Sequence, residues 1–135
     1  MIDIIELLQQ TLDNALQAIP LRSYWLLRQE IDADPNPDEY IVYSVEEHAP
    51  DAGADGIGLI YRSYVTIRYF CREEWIGNAD HLQTARKHMK LIREALAAAE
   101  FECTSGWNSV GDVDGISFRT FVLSAEYTEV DYGDE

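Results

Sequence analysis

The sequence predicts an α+β domain: a mainly antiparallel sheet of about five strands with two helices on one face, in the order α-β-β-β-α-β-β. Three observations predict it. Arg62–Arg72 is dominated by β-branched and aromatic residues and no Gly or Pro interrupts it. Its positions Ser63, Val65, Ile67, Tyr69 and Cys71 alternate with Tyr64, Thr66, Arg68, Phe70 and Arg72, so it reads as a long strand with one greasier face. Leu82, Ala85, Met89, Ile92, Leu96 and Ala99 then step by three and four, the spacing of a helix whose apolar stripe needs a surface to cover. Finally, a second long strand, Ile116 to Glu129, places Phe121, Leu123, Ala125 and Tyr127 on one face.

The elements follow in order. Asp3 and Glu6 have capping-box spacing, and Ile5, Leu8, Leu12, Ala15, Leu16 and Ile19 recur at helical spacing against Gln9, Gln10, Asp13 and Gln17. Pro20 ends the pattern, so the first helix covers about residues 3–18. Tyr24–Ile31 reads as a strand and Tyr40–Val45 as another, paired as a hairpin across a connection stiffened by Pro35 and Pro37. His48 to Gly58 is a loop, long for a compact domain and punctuated by Pro50, Gly53, Gly56 and Gly58. Asp80 with Gln83 repeats the capping-box spacing and opens the second helix, Asp80–Glu100. Phe101 to Trp107 adds a short strand, and Gly111-Asp112-Val113-Asp114-Gly115 turns into the last long one. The acidic end, Asp131-Tyr132-Gly133-Asp134-Glu135, is expected to be loose.

A length of 135 residues fits a single domain spanning 1–135, and 47% hydrophobic content marks it as globular. Ten Lys and Arg against 25 Asp and Glu leave a net charge of −15, which argues against a general phosphate-binding surface and fits either an acidic soluble surface that repels nucleic acid or attraction to a basic partner. Cys71 and Cys103 make no disulfide framework and read as free thiols of a reducing compartment. Acids stand where a secretory signal would be basic, and no apolar run reaches membrane-span length, so a cytoplasmic, non-membrane protein is expected.

No catalytic signature emerges. Asp32–Asp38 mimics the start of a calcium loop but places Pro37 where Gly is required and Tyr43 where the bidentate Glu belongs. Asp112 and Asp114 fit a strand turn. His81 and His88 stand two helical turns apart, too far to share a zinc, and read as solvated helix residues, with no Cys near either in sequence; the third histidine is His48. Nucleophile elbow, phosphate loop and dinucleotide fingerprint are all missing, so no enzyme, cofactor or metal is expected. Two features carry an interaction reading instead. Arg86, Lys87, Lys90 and Arg93 gather four of the ten basic residues on one helix face, either a solvated stripe pairing with nearby acids or a contact for an acidic patch on a neighbouring copy. The loop-borne apolar residues Ile57, Leu59, Trp75 and Ile76 either plug the core edge or meet a partner.

Taken together, helix Asp3–Ala18, the turn and strand Pro35–Tyr43, strand Tyr64–Arg72, helix Asp80–Glu100 and the paired strands Cys103–Val110 and Ile116–Glu129 resemble the tail terminator, or tail-completion, proteins of long-tailed bacteriophages and prophages. The likeness covers most of the chain in order and spacing. It implies an α+β virion component without catalytic residues, forming a ring, often hexameric, that caps the tail tube or joins it to the head. Its partners would be copies of itself, tail-tube proteins and head-tail connector proteins, with no sequence-specific nucleic acid and no membrane. Its place would be the virion tail or neck, reached through the host cytoplasm. Two other readings stay open: an acidic DNA-mimic inhibitor of a nucleic-acid enzyme, and a bacterial domain binding a small ligand under its helix.

Overall fold

The structure, a computed structural model, describes residues 3–17, 19, 21, 23–25, 38–47, 51–52, 59–112 and 118–131. Helix α1 (Ile4–Leu16) begins at Asp3, whose side chain accepts from the Glu6 amide at 3.1 Å. Glu6 accepts from Gln10 at 3.4 Å, one turn further on. Its buried residues, Ile4, Leu8, Leu12 and Leu16, recur at every fourth position and so share one face.

The strands are β1 (Ser23–Trp25), β2 (Glu39–Glu47), β3 (Asp51–Ala52), β4 (Leu59–Arg72), β5 (Glu102–Cys103), β6 (Asn108–Asp112) and β7 (Phe118–Asp131). They form one sheet in the order β1-β2-β4-β7-β5, with β3 extending the β2 side of β4 and β6 extending the β5 side of β7. The β4–β7 pair is the spine, antiparallel in unbroken register from Leu59 opposite Asp131 to Arg72 opposite Phe118. The α+β class and the mainly antiparallel sheet are as expected.

Several local expectations are corrected. β1 runs parallel to β2, with Ser23 opposite Ile41, so the expected hairpin is not formed; parallel neighbours require a crossover, which a long connection permits. Of the expected strand Tyr24–Ile31 only the start lies in β1, and residues 26–37, including most of the calcium-like run, lie outside the described residues. Asp38 is engaged by Arg72 at 2.8 Å. The expected loop His48–Gly58 contains β3, while His48 and residues 53–58 lie outside the described residues. The expected strand over Phe101–Trp107 shortens to β5, and Gly111 and Asp112 belong to β6.

Between β4 and the long helix lies a single turn, α2 (Glu73–Ile76). Helix α3 (Ala79–Ala98) is capped by Asn78, whose Oδ1 accepts from the amides of Asp80 at 3.1 Å and His81 at 3.0 Å. The cap is therefore two residues ahead of the expected Asp80, because Asn serves as well as Asp and the preceding turn delivers it. At the other end Glu100 adopts φ 71°, while the amides of Glu100 and Phe101 return to the carbonyls of Ala97 and Leu96. That is the left-handed stop that closes a helix, and it turns Phe101 into the core.

Both long helices cover the same sheet face. The core joins Leu8, Leu12 and Leu16 of α1 and Ala85, Met89, Ile92 and Leu96 of α3 to Ile41, Val65, Ile67, Tyr69, Leu123 and Ala125 of the sheet. The greasier set of β4 is the set that faces them. On the opposite face Tyr40 stacks on Phe70 at 4.5 Å and meets Phe118 edge-on at 5.5 Å, an aromatic cluster that buries Phe70.

Candidate interaction surface

Two arrangements of charge lie on opposite sides of α3, and each follows from helical spacing. Arg86, Lys87, Lys90 and Arg93 are all exposed on the outer side. No carboxylate among the described residues lies within ion-pair distance of any of the four. Arg86, Lys90 and Arg93 rim a groove of about 330 Å³ whose remaining lining is Met89, Trp107 and Phe121. The Trp107 indole is held there because its Nε1 donates to the Met89 carbonyl at 3.0 Å, tying the residue before β6 to the middle of α3. Its ring also meets Tyr69 edge-on at 6.4 Å. Lys87 and Lys90 flank a second depression of about 340 Å³, together with Ile19, His88, Leu91 and Glu94. A cationic rim over an aromatic floor can hold an anionic group that carries an apolar or aromatic body.

On the inner side, His88 is buried, which corrects the expectation of a solvated helix residue. Its Nδ1 lies 2.7 Å from Glu39 Oε1, and the same oxygen accepts from the Tyr69 hydroxyl at 2.6 Å. Glu39 is itself buried, at the start of β2 on the helix-covered face. With Glu39 as a carboxylate, which can only accept, the Nδ1 carries the proton. Burial first, and then the bond and charge of Glu39, push the Tyr69 hydroxyl far above its ordinary pKa. Cys71, opposite Glu39 in the sheet, is pushed up to about 12 by burial first and then by the charges of Glu39 and Glu73, against the lowering effect of Arg119. A nucleophilic thiol needs the reverse shift, so this neighbourhood holds Cys71 in its inert form. Arg119 grips Glu73 with Nε to Oε2 at 2.9 Å and Nη2 to Oε1 at 2.6 Å, a two-point fork that fastens α2 to β7. Among the described residues no group of three or more His, Cys, Asp or Glu is arranged to hold a metal ion.

The residues expected to form a contact surface are thus divided. Arg86, Lys87, Lys90 and Arg93 come together on one exposed face. Trp75 is buried and Ile76 packs half-buried against the core, so both serve the chain's own interior. Trp75 also stacks on His81 at 4.9 Å. Leu59 opens β4, and Ile57 lies outside the described residues. Sequence reading missed His88, Glu39 and Tyr69 as a unit, as it missed Trp107 and Phe121 as the groove floor. A signal for the first was present: His88 falls between Ala85 and Ile92 on the apolar stripe, and Glu39 shares strand parity with Ile41 and Tyr43. Trp107 offered none, because its contact with Met89 spans two elements. Neither a scan against protein-family models nor a search of the curated proteins finds a match to this chain.

Proposed function

We propose that this chain is a non-enzymatic structural subunit that assembles with copies of itself into a ring, in the role of a phage or prophage tail terminator or tail-completion protein. The observation that carries the reading is the outer face of α3: four cations without a described acidic partner, on a chain of net charge −15. Such a chain offers acid over much of its surface and base on one helix, so two copies complement each other through different patches. Contacts between different patches are heterologous, and heterologous contacts close into rings or run on as filaments. The sheet adds a second means of contact, since among the described residues the outer edges of β1 and of β5 and β6 have no strand partner. In a ring, the remaining negative charge would keep passing DNA from adhering to the channel wall.

Light scattering over a concentration series, paired with negative-stain electron microscopy of the protein alone and added to phage tails, tests this. Rings or capped tail ends are expected, and replacing Lys87 and Lys90 by Glu should abolish them at low salt. Persistent monomers that never bind tails would remove the reading. A second reading is favoured by one observation, the groove in which Arg86, Lys90 and Arg93 surround Trp107 and Phe121: the chain would bind a small anionic aromatic molecule there. A thermal-shift screen that raises the melting temperature with such a compound, in a protein that stays monomeric, would promote it.

A further inference from the structure

We propose that the groove beside α3 seats the acidic, tyrosine-bearing segment Asp131-Tyr132-Gly133-Asp134-Glu135 of a second copy of this chain. The inference rests on the copy-to-copy reading above and names the element that makes the contact. Chemistry matches on both sides. The groove has three cations at its rim, no carboxylate among the described residues of its lining, and Met89, Trp107 and Phe121 below. The segment has three carboxylates within five residues, grouped about one aromatic ring. Asp131, Asp134 and Glu135 would face Arg86, Lys90 and Arg93, while the Tyr132 ring lies on the Trp107–Phe121 floor, where its hydroxyl can stay wet.

Geometry makes the contact intermolecular. Phe121 of the groove and Asp131 lie ten residues apart on the same continuous strand, β7. At the rise of a β-strand that separation is about 33 Å. Residues 132–135, fully extended, reach at most about 14 Å. The segment therefore cannot fold back to the groove of its own chain and has to find the groove of another. Each copy then gives a segment at one end of its sheet and receives one beside α3, which is the head-to-tail geometry that rings require.

The test uses a fluorescein-labelled peptide of residues 129–135 titrated against the intact chain, with binding read by anisotropy. Saturable binding is expected, weakened about tenfold or more by Lys90→Glu with Arg93→Glu, each variant checked for native circular dichroism. A peptide carrying Tyr132→Ala should also bind about tenfold more weakly, whereas pure charge attraction would leave the two peptides equal and overturn the seat. Deleting residues 132–135 should abolish self-association in light scattering. Self-association that survives the deletion, with no peptide binding, would overturn this inference and leave the ring reading standing. Specific peptide binding to a chain that stays monomeric at every concentration would show that no second copy fills the groove, and would overturn both this inference and the ring.

Discussion

Lys87 and His88 are consecutive residues of one helix, yet they meet opposite conditions. His88 turns inward toward the buried Glu39 and Tyr69, and its ring and the Tyr69 hydroxyl close on a single Glu39 carboxylate oxygen. Lys87, with Arg86, Lys90 and Arg93, turns outward and forms no ion pair with a described acid. The difference teaches where each kind of charge can act. An inner polar group is committed, because breaking its bonds leaves a desolvated group behind. An outer cation costs nothing to leave unpaired in water, and it stays available to an acidic partner. The inner cluster holds the fold together and the outer ridge is free to bind.

The comparison can be broken most directly at its inner end. Glu39→Ala removes the acceptor for both Tyr69 and His88, and should lower stability by about 3–5 kcal/mol, read as a fall in the urea midpoint at unchanged slope. A loss under about 1 kcal/mol would mean that the buried cluster is no more committed than the ridge.

Alkaline pH presses on the same region. The Cys71 thiol has an ordinary pKa of 9.0 and is held up to about 12 in the folded protein. Above pH 9 the unfolded chain therefore releases a proton that the folded chain keeps, so stability is fully present below that pH and falls as the pH rises toward 12. Tyr69, raised by burial and by Glu39, adds in the same direction. Thermal melts from pH 8 upward should show the decline, flattened in Cys71→Ala. At pH 8 a thiol reagent should modify Cys103 in native protein and leave Cys71 untouched.

Arg119 sits between the extremes, half-buried and doubly bonded to Glu73. Arg119→Ala should cost about 1 kcal/mol, well short of the Glu39 effect, because water screens the pair from both sides. The smallest change in stability belongs to the ridge itself. Lys87→Glu with Lys90→Glu should stay within about 0.5 kcal/mol of the parent by urea denaturation while self-association is lost. A large destabilisation there would show the ridge to be structural and would erase the contrast.

Much of this was legible residue by residue. The alternate positions of β4 and the stepped leucines and alanines of α1 and α3 name the buried faces, since the 2.0 and 3.6 periods belong to the local backbone. The basic residues of α3 fall on one side for the same reason. His88 was misread because a polar residue on an apolar stripe shows its partner only when the partner is known, and Glu39 is 49 residues away. β1 was misread because adjacency in the chain favours a hairpin, while its true neighbour is a parallel strand across a long connection.

What the sequence determined by itself is therefore the long elements, the faces that α3, β4 and β7 bury, and the side of α3 on which positive charge collects. All three depend on contacts within a few residues, whose geometry is common to every helix and strand. Only the tertiary structure decided that β1 would lie parallel to β2, that Glu39, Tyr69 and His88 would share one oxygen, and that Trp107 would reach Met89 to floor a cationic groove. Those pairings join residues far apart in the chain, and they arise from how the helices settle on the sheet, which no local period encodes.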